Sequence, residues 1–200
     1  DEEWQSIGTE SLLRSGVRAD AAIVTEPTRL AIGPAHRGFA WADVTVHGVA
    51  AHGSRYDVGV DANTMAGLLL AELESYQQTE LPRHKHPLLG RGSFHAARIS
   101  GGIGLSTYAD VCALAFERRT LPGDTGETFG DELRAACARV SARDARFHAD
   151  VKVTFVQAAN DVAADAPIVR TLAHAVEAVD RGPAAVEGLS YWTDAALLSA

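Results

Sequence analysis

Three carboxylates near the start of the chain could perform hydrolytic chemistry if the fold brings them together. Glu2 and Glu3 stand at the beginning, and Glu26 ends the apolar stretch of residues 19–26, just before Pro27. A short apolar run of this kind predicts a buried parallel strand, which would end at Pro27 because proline cannot donate to a ladder. Ligands bind at the carboxyl edge of such sheets. We therefore expect a metal-centred hydrolytic site there, the alternative for residues 1–3 being a solvated acidic turn.

His52 is the histidine best placed to assist such a reaction. It lies in a predicted loop over residues 48–54, between small residues and two positions before Ser54. An imidazole that reaches out of a glycine-flanked loop can stabilise a developing oxyanion. The alternative is an exposed loop histidine without a role. Most of the other histidines have no partner at the spacing of metal ligands.

Arg119 is a candidate for binding a carboxylate. Arg118 and Arg119 end a predicted strand, beside a turn predicted at residues 122–124. A guanidinium at a strand end can hold a carboxylate through two hydrogen bonds. The alternative is a solvated arginine pair that balances Glu117.

These candidates are distributed over a predicted pattern of strands and helices. A short helix is expected with Thr9 as its N-cap and Gly16 as its C-terminal stop. Alternating and helical periodicities then predict the order βαββαβ, the split unit of ferredoxin-like folds. Its elements are expected as a strand from residue 38, a helix at 59–77, a loop at 81–92, strands at 93–100 and 110–117, a helix at 127–143 and a strand at 151–156.

The predicted fold class is α/β, with this ferredoxin-like unit inserted into a parallel-sheet domain. Residues 1–36 and 159–200 would belong to the parallel-sheet domain, since a helix at 167–179 and the tail at 188–195 are expected to return to the first layer. Residues 37–158 would form the compact insert.

The composition restricts the classes of partner. The hydrophobic content of 46% and charged content of 22% are typical of a globular protein. The formal net charge of −8 disfavours nucleic acid and anionic membranes, and no apolar run approaches the about 20 residues of a membrane helix. Two cysteines do not suggest a disulfide framework, so we expect a cytoplasmic protein. The chain lacks an initial Met and stops within an apolar pattern, so we expect it to be a piece of a longer protein.

Five motifs follow one another along the chain: Asp-Glu-Glu at 1–3, Thr-Glu-Pro-Thr at 25–28, Gly-Val-Ala-Ala-His-Gly-Ser at 48–54, Gly-Val-Asp-Ala at 59–62, and Gly-Gly at 101–102 followed by Glu-Arg-Arg-Thr-Leu-Pro-Gly at 117–123. Their order resembles the dinuclear zinc aminoacylase and carboxypeptidase family, which includes acetylornithine deacetylase, succinyl-diaminopimelate desuccinylase and glutamate carboxypeptidase. The resemblance implies a zinc-dependent hydrolase that cleaves the amide bond of N-acyl amino acids or small peptides. Two zinc ions would serve each complete site, with cobalt or manganese as alternatives.

The resemblance also implies a role for each candidate residue. Glu2 would be the general base that activates the metal-bound water, and Glu3 and Glu26 would each bind one zinc ion. His52 would cross into the partner subunit of a homodimer and polarise the scissile carbonyl. Arg119 would hold the α-carboxylate of the substrate. The insert would be the lid and dimerisation domain.

The chain departs from the family pattern at its ends and in one loop. The family's His-x-Asp segment and bridging aspartate lie upstream of Asp-Glu-Glu, and its last histidine ligand would follow Ala200. Residues 105–109 stand where many members carry Asn-x-x-Pro. We therefore expect an incomplete metal site and a chain that is inactive alone. The alternatives are a dimerisation or interaction module, and a ferredoxin-like sensor of small ligands.

Overall fold

The computed structural model describes residues 6–180 and 182–199, and its largest feature is a four-stranded antiparallel sheet. The elements in chain order are α1 (Ile7–Arg14), β1 (Ile32–His36), β2 (Gly38–His47), α2 (Ala62–Thr79), a 3₁₀ turn (Leu81–Arg83), β3 (Lys85–His86), β4 (Gly90–Arg91), β5 (Ser93–Gly101), β6 (Val111–Thr120), α3 (Gly126–Arg143), β7 (His148–Gln157), β8 (Asn160–Asp161), α4 (Pro167–Asp180), β9 (Val186–Leu189) and α5 (Ala195–Leu198). The large sheet has the strand order β5-β6-β2-β7. Helices α2 and α3 pack on one of its faces.

The alternation of side chains along β2 decides which face of this sheet the helices cover. Val44 and Val46 are buried among the helices, whereas Phe39 and Trp41 lie on the opposite, open face and are partly exposed. Each helix adds an apolar stripe at helical spacing, and burying one such large side chain stabilises the fold by roughly 1.5–3 kcal/mol. The stripes are Met65, Leu69 and Leu73 on α2, and Phe129, Leu133 and Val140 on α3.

Both helices begin at side-chain caps. Asp61 accepts hydrogen bonds from the amides of Asn63 and Thr64, and Thr125 forms a reciprocal capping box with Thr128. These bonds satisfy amides that the first helical turn leaves without partners. The cap of α2 therefore fixes the end of the loop that carries His52.

The βαββαβ order predicted for the insert is confirmed, and the strand order is that of a ferredoxin-like sheet. The predicted loop at 81–92 is more structured than expected, because it contains the 3₁₀ turn and the hairpin β3–β4. This hairpin contacts the segment that leads into the insert, since the Arg37 guanidinium donates to the carbonyl of Leu89 at 2.6 Å.

The segments before and after the insert meet in a second, three-stranded sheet of order β8-β1-β9. Strand β1 pairs in parallel with β9 and antiparallel with β8. The tail therefore pairs with the segment that precedes the insert, as predicted. Strand β1 was not among the predicted elements, because the Gly33-Pro34 pair within it is typical of a turn.

The strand predicted at residues 19–26 is wrong. Residues 17–27 have no regular secondary structure and none is fully buried, and Ile23 is 55% exposed. A buried parallel strand requires a strand on each side, and no described strand pairs with this stretch. The preceding helix α1 does form, and Gly16 ends it with a φ of +91°. Thr9 lies inside α1 rather than at its cap, and donates to the carboxylate of Asp194.

None of the described helices is long and apolar enough to cross a membrane.

Candidate functional site

His52 projects from a loop whose two ends are pinned together. The amide of Val49 donates to the carbonyl of Val60 at 2.8 Å, and the amide of Val60 returns a bond to Val49 at 3.0 Å. Gly48 is required at this junction, because a β-carbon there would collide with the carbonyl oxygens of Val60 and Ala109. The loop therefore forms a closed arm beyond the end of β2, and we call residues 48–60 the His52 arm.

A second loop supports this arm along its length. The amide of Gly53 donates to the carbonyl of Ser106 at 2.7 Å, and that of Tyr108 donates to Ala51 at 2.9 Å. His52 itself forms a β-bridge with Thr107. Residues 106–108 thus hold the His52 arm in place.

The contacts of His52 determine which ring nitrogen carries its proton. The amide of Ser54 donates to Nδ1 of His52 at 3.3 Å, and the Oγ atom of Ser54 lies 2.9 Å from the same nitrogen. Because a backbone amide can only donate, Nδ1 is the acceptor, and the neutral ring carries its hydrogen on Nε2. The side chain is exposed, so this N–H is available to a ligand.

Asp61 joins the two loops to the start of α2. Besides capping the helix, its carboxylate accepts a bond from the Thr64 hydroxyl at 2.6 Å and from the Ala109 amide at 3.3 Å. Partial burial raises the pKa of Asp61, but these hydrogen bonds outweigh burial, and its pKa lies below the ordinary value. The sequence offered a signal for this role, since Asp61 precedes a strongly helical run.

The neighbouring arginines Arg118 and Arg119 have different environments because they lie on opposite faces of β6. The Arg118 side chain is 4% exposed and pairs with Glu132 through Nε at 3.0 Å and Nη2 at 3.2 Å. The alternative of a solvated arginine pair is therefore wrong for Arg118. Arg119 is 32% exposed, its Nε donates to Glu117 at 2.7 Å, and among the described residues none accepts a hydrogen bond from its terminal nitrogens.

Arg119 and His52 lie at opposite ends of the sheet. Arg119 pairs with Phe39 at the start of β2, whereas His52 follows the end of that strand at His47. Eight residues of strand separate these positions, a distance on the order of 25 Å. One small substrate cannot contact both side chains within a single protomer.

The carboxylate candidates divide between described and undescribed parts of the chain. Glu2 and Glu3 lie outside the described residues. Glu26 is partly exposed and lies on the wall of a cavity of about 840 Å³, bounded by α1, residues 17–34, α4, β9 and α5. No group of three or more His, Cys, Asp or Glu among residues 6–180 and 182–199 is arranged to hold a metal ion.

Comparison with known families identifies the insert. The profile described as the peptidase dimerisation domain matches residues 34–145, which include the His52 arm and most of the sheet. The chain belongs to this peptidase dimerisation domain family. The predicted resemblance is confirmed.

Relatives of this peptidase dimerisation domain protein include hydrolases of known name. It is 31% identical to the acetylornithine deacetylase of Myxococcus xanthus over 182 residues, which are 88% of this chain and 47% of the deacetylase. The chain spans about half of that relative's length, and less of the others.

Solved structures with the same fold extend over both the insert and the flanking segments. The aminopeptidase PepT of Bacillus cereus aligns with a TM-score of 0.79 and 21% identity, covering 99% of this chain and 51% of PepT. A hydantoinase/carbamoylase family amidase from Burkholderia ambifaria aligns with a TM-score of 0.63 and 22% identity, covering 84% of this chain and 39% of the amidase. These likenesses confirm the fold.

Proposed function

We propose that this peptidase dimerisation domain protein is the lid-bearing part of a zinc-dependent hydrolase that cleaves the amide bond of N-acyl amino acids or small peptides. Residues 1–36 and 159–200 would be catalytic-domain segments, and residues 37–158 the lid. The pairing of β1 with β9 supports this division, because it joins the two flanking segments on either side of the insert. The names of the relatives, an acetylornithine deacetylase and an aminopeptidase, support the class of reaction.

The observation that carries the proposal is the separation of His52 from Arg119 along β2. If both act on one substrate, they must come from different copies of the chain, because they lie at opposite ends of the strand. A homodimer related by a two-fold axis supplies both from opposite sides. Membership of a dimerisation domain family supports this arrangement.

In this proposal the chain's own residues bind and polarise the substrate. The Nε2–H of His52 donates to the scissile carbonyl oxygen as negative charge develops there, which is the function of an oxyanion-hole donor. The terminal nitrogens of Arg119 bind the substrate's carboxylate, while Glu117 holds its Nε. Glu2 would accept the proton of the attacking water.

The described residues provide part of the ligand set that zinc requires. Glu26 is the proposed ligand among them, and a single carboxylate falls short of the three or four ligands of protein zinc sites. Glu3 and further ligands would therefore come from outside the described residues. A cytoplasmic location would suit Cys112 and Cys137, which are both free thiols.

A second candidate is a dimerisation or interaction module that has no activity alone. The lack of a metal-binding cluster in the described part of the chain favours it. The two candidates differ in whether the full-length protein hydrolyses N-acyl amino acids.

Mixed dimers test the proposed function. We expect His52→Ala and Glu2→Ala, each made in the full-length protein, to be nearly inactive. Unfolding the two together and refolding them should restore about a quarter of the wild-type activity, because half of the dimers are mixed and each has one intact site. An inactive mixture that forms mixed dimers would overturn the action of His52 across the interface. A wild-type protein without hydrolase activity would favour the second candidate.

A further inference from the structure

The open face of the large sheet carries a continuous aromatic surface at the end where Arg119 lies. We define the aromatic platform as Phe39, Trp41 and Phe155. The rings of Trp41 and Phe155 are 5.2 Å apart between centroids, and Phe39 lies 5.4 Å from Trp41 and 5.8 Å from Phe155. All three side chains are partly exposed. The platform therefore presents apolar surface that the helices do not cover.

One carboxylate fixes Arg119 and the platform relative to each other. Glu117 accepts a bond from Nε of Arg119 at 2.7 Å and from the indole nitrogen of Trp41 at 3.1 Å. The guanidinium carbon of Arg119 also lies 5.4 Å from the centroid of the Phe39 ring. These contacts hold the guanidinium beside the rings and leave its terminal nitrogens for a ligand.

The charge around the platform favours an anion. Burial, and then the positive charges of Arg119 and Arg91, lower the pKa of Arg37. The guanidinium groups of Arg119 and Arg91 therefore lie near that of Arg37. The Nε atom of Arg37 is buried and has no hydrogen-bond partner among the described residues. Three arginines against the carboxylate of Glu117 make this a positive region in a chain of net charge −8.

The platform also lies at the junction with the flanking segments. Trp192, from the segment after the insert, packs edge-on against Phe39 with 6.1 Å between centroids. Its neighbour Thr193 lines the same cavity as Glu26. This end of the lid therefore faces the flanking segments, which the proposed function assigns to the catalytic domain.

We propose that the aromatic platform determines substrate specificity, by binding the aromatic or bulky apolar side chain of an amino acid whose carboxylate is held by Arg119. This inference rests on the proposed function, because it assigns the substrate class of the same site. Because Glu117 bonds both Arg119 and Trp41, a ligand whose carboxylate Arg119 holds would lie beside Trp41, and its side chain could reach Trp41 and Phe155. A small side chain would make few contacts with these rings, and the carboxylate would be its main contact.

Calorimetric titration of the purified chain tests the proposal without requiring hydrolysis. We expect N-acetyl-L-phenylalanine to bind about tenfold more tightly than N-acetyl-L-alanine, since ring stacking and burial each favour the larger ligand. N-acetyl-L-phenylalaninamide, which lacks the carboxylate, should bind about tenfold more weakly than the acid. Trp41→Leu and, as a second variant, Phe155→Leu should reduce the preference for phenylalanine to about twofold.

Thr45→Ala is the matched control, because Thr45 lies on the same face of β2, four positions beyond Trp41. The Thr45→Ala variant should keep the roughly tenfold preference for N-acetyl-L-phenylalanine over N-acetyl-L-alanine. The proposal is overturned if the intact chain binds neither acid, binds both equally, or keeps its preference in both Leu variants. Hydrolysis by the full-length protein is measured separately. A protein that binds these ligands but hydrolyses no N-acyl amino acid would contradict the proposed function instead.

Discussion

The Nδ1 atom of His52 lies 2.9 Å from the Oγ atom of Ser54 and accepts a bond from the Ser54 amide. The imidazole is thereby held as the tautomer whose hydrogen is on Nε2. A residue two positions along the chain therefore prepares His52 to donate to a carbonyl oxygen.

His52→Ala should lower kcat of the full-length enzyme by about 10²–10³-fold, as expected on removal of an oxyanion donor. Ser54→Ala should lower kcat by only a few fold, because the Ser54 amide still donates to Nδ1. His47→Ala is the control, since the His47 side chain pairs with Asp150 of β7 rather than with this loop, and its kcat should match the wild type. Steady-state kinetics measure all three. A His52→Ala variant with near-normal kcat would show that this imidazole does not polarise the substrate.

Arg118 and Arg119 should differ in their contribution to the free energy of unfolding. Arg118→Ala leaves the carboxylates of Glu132 and Asp124, 12% and 11% exposed, without their cation, and should cost about 3–5 kcal/mol. Arg119→Ala removes a partly exposed ion pair and should cost less than about 1 kcal/mol. Urea denaturation of the two variants measures the difference. Equal losses would mean that the Arg118 network adds no more than a surface pair.

The insert could be predicted from the sequence because its elements follow simple periodicities. The alternation of β2 and the helical spacing of Met65, Leu69 and Leu73 are local signals, and capping residues mark the helix starts. The stretch at 19–26 carries an equally good apolar signal, yet forms no strand, because a strand requires neighbours that local sequence does not supply.

The site was predicted less completely than the fold. The environments of Arg118 and Arg119 could not be separated from the sequence, since they depend on which face of β6 each side chain occupies in the sheet. The support of His52 by residues 105–109 depends on a contact between two loops distant in sequence. The roles of Glu2, Glu3, Glu26, His52 and Arg119 remain predictions.

Gly48→Ala should destabilise the protein and displace the His52 arm. A β-carbon at Gly48 would meet two backbone carbonyl oxygens, which cannot move aside as a flexible side chain can. We expect a loss of about 1–3 kcal/mol in unfolding free energy. Gly104→Ala is the control, because a β-carbon there meets nothing within 4 Å and its φ is not positive. Thermal denaturation compares the two. A Gly48→Ala variant as stable as Gly104→Ala would contradict the close approach at this junction.

Tyr76 should make the stability of the fold depend on alkaline pH. Burial, and then the negative charge of Glu132, raise the pKa of Tyr76 to about 12 from an ordinary value of 10. Because folding raises this pKa, the contribution is fully present below pH 10 and is lost as the pH rises from 10 to about 12. Absorbance titration of ionised tyrosine should show one group near pH 12. Tyr76→Phe should lack that step and lose less stability over the same range, and an unchanged titration would contradict the assignment.

Zinc content tests whether this chain alone holds a complete metal site. The described residues form no cluster of three metal-ligating side chains, so after dialysis at neutral pH we expect near-zero zinc in a folded, dimeric protein. Size-exclusion chromatography with light scattering measures the dimer, and elemental analysis measures the metal. Adding zinc should then leave the melting temperature unchanged, because an ion that binds the folded state would raise it. One or two tightly held zinc ions per chain would mean that residues 1–5, with Glu26, complete a site that the described residues do not. Glu26→Gln should then lower the zinc content, whereas Glu74→Gln, an exposed change on α2, should not.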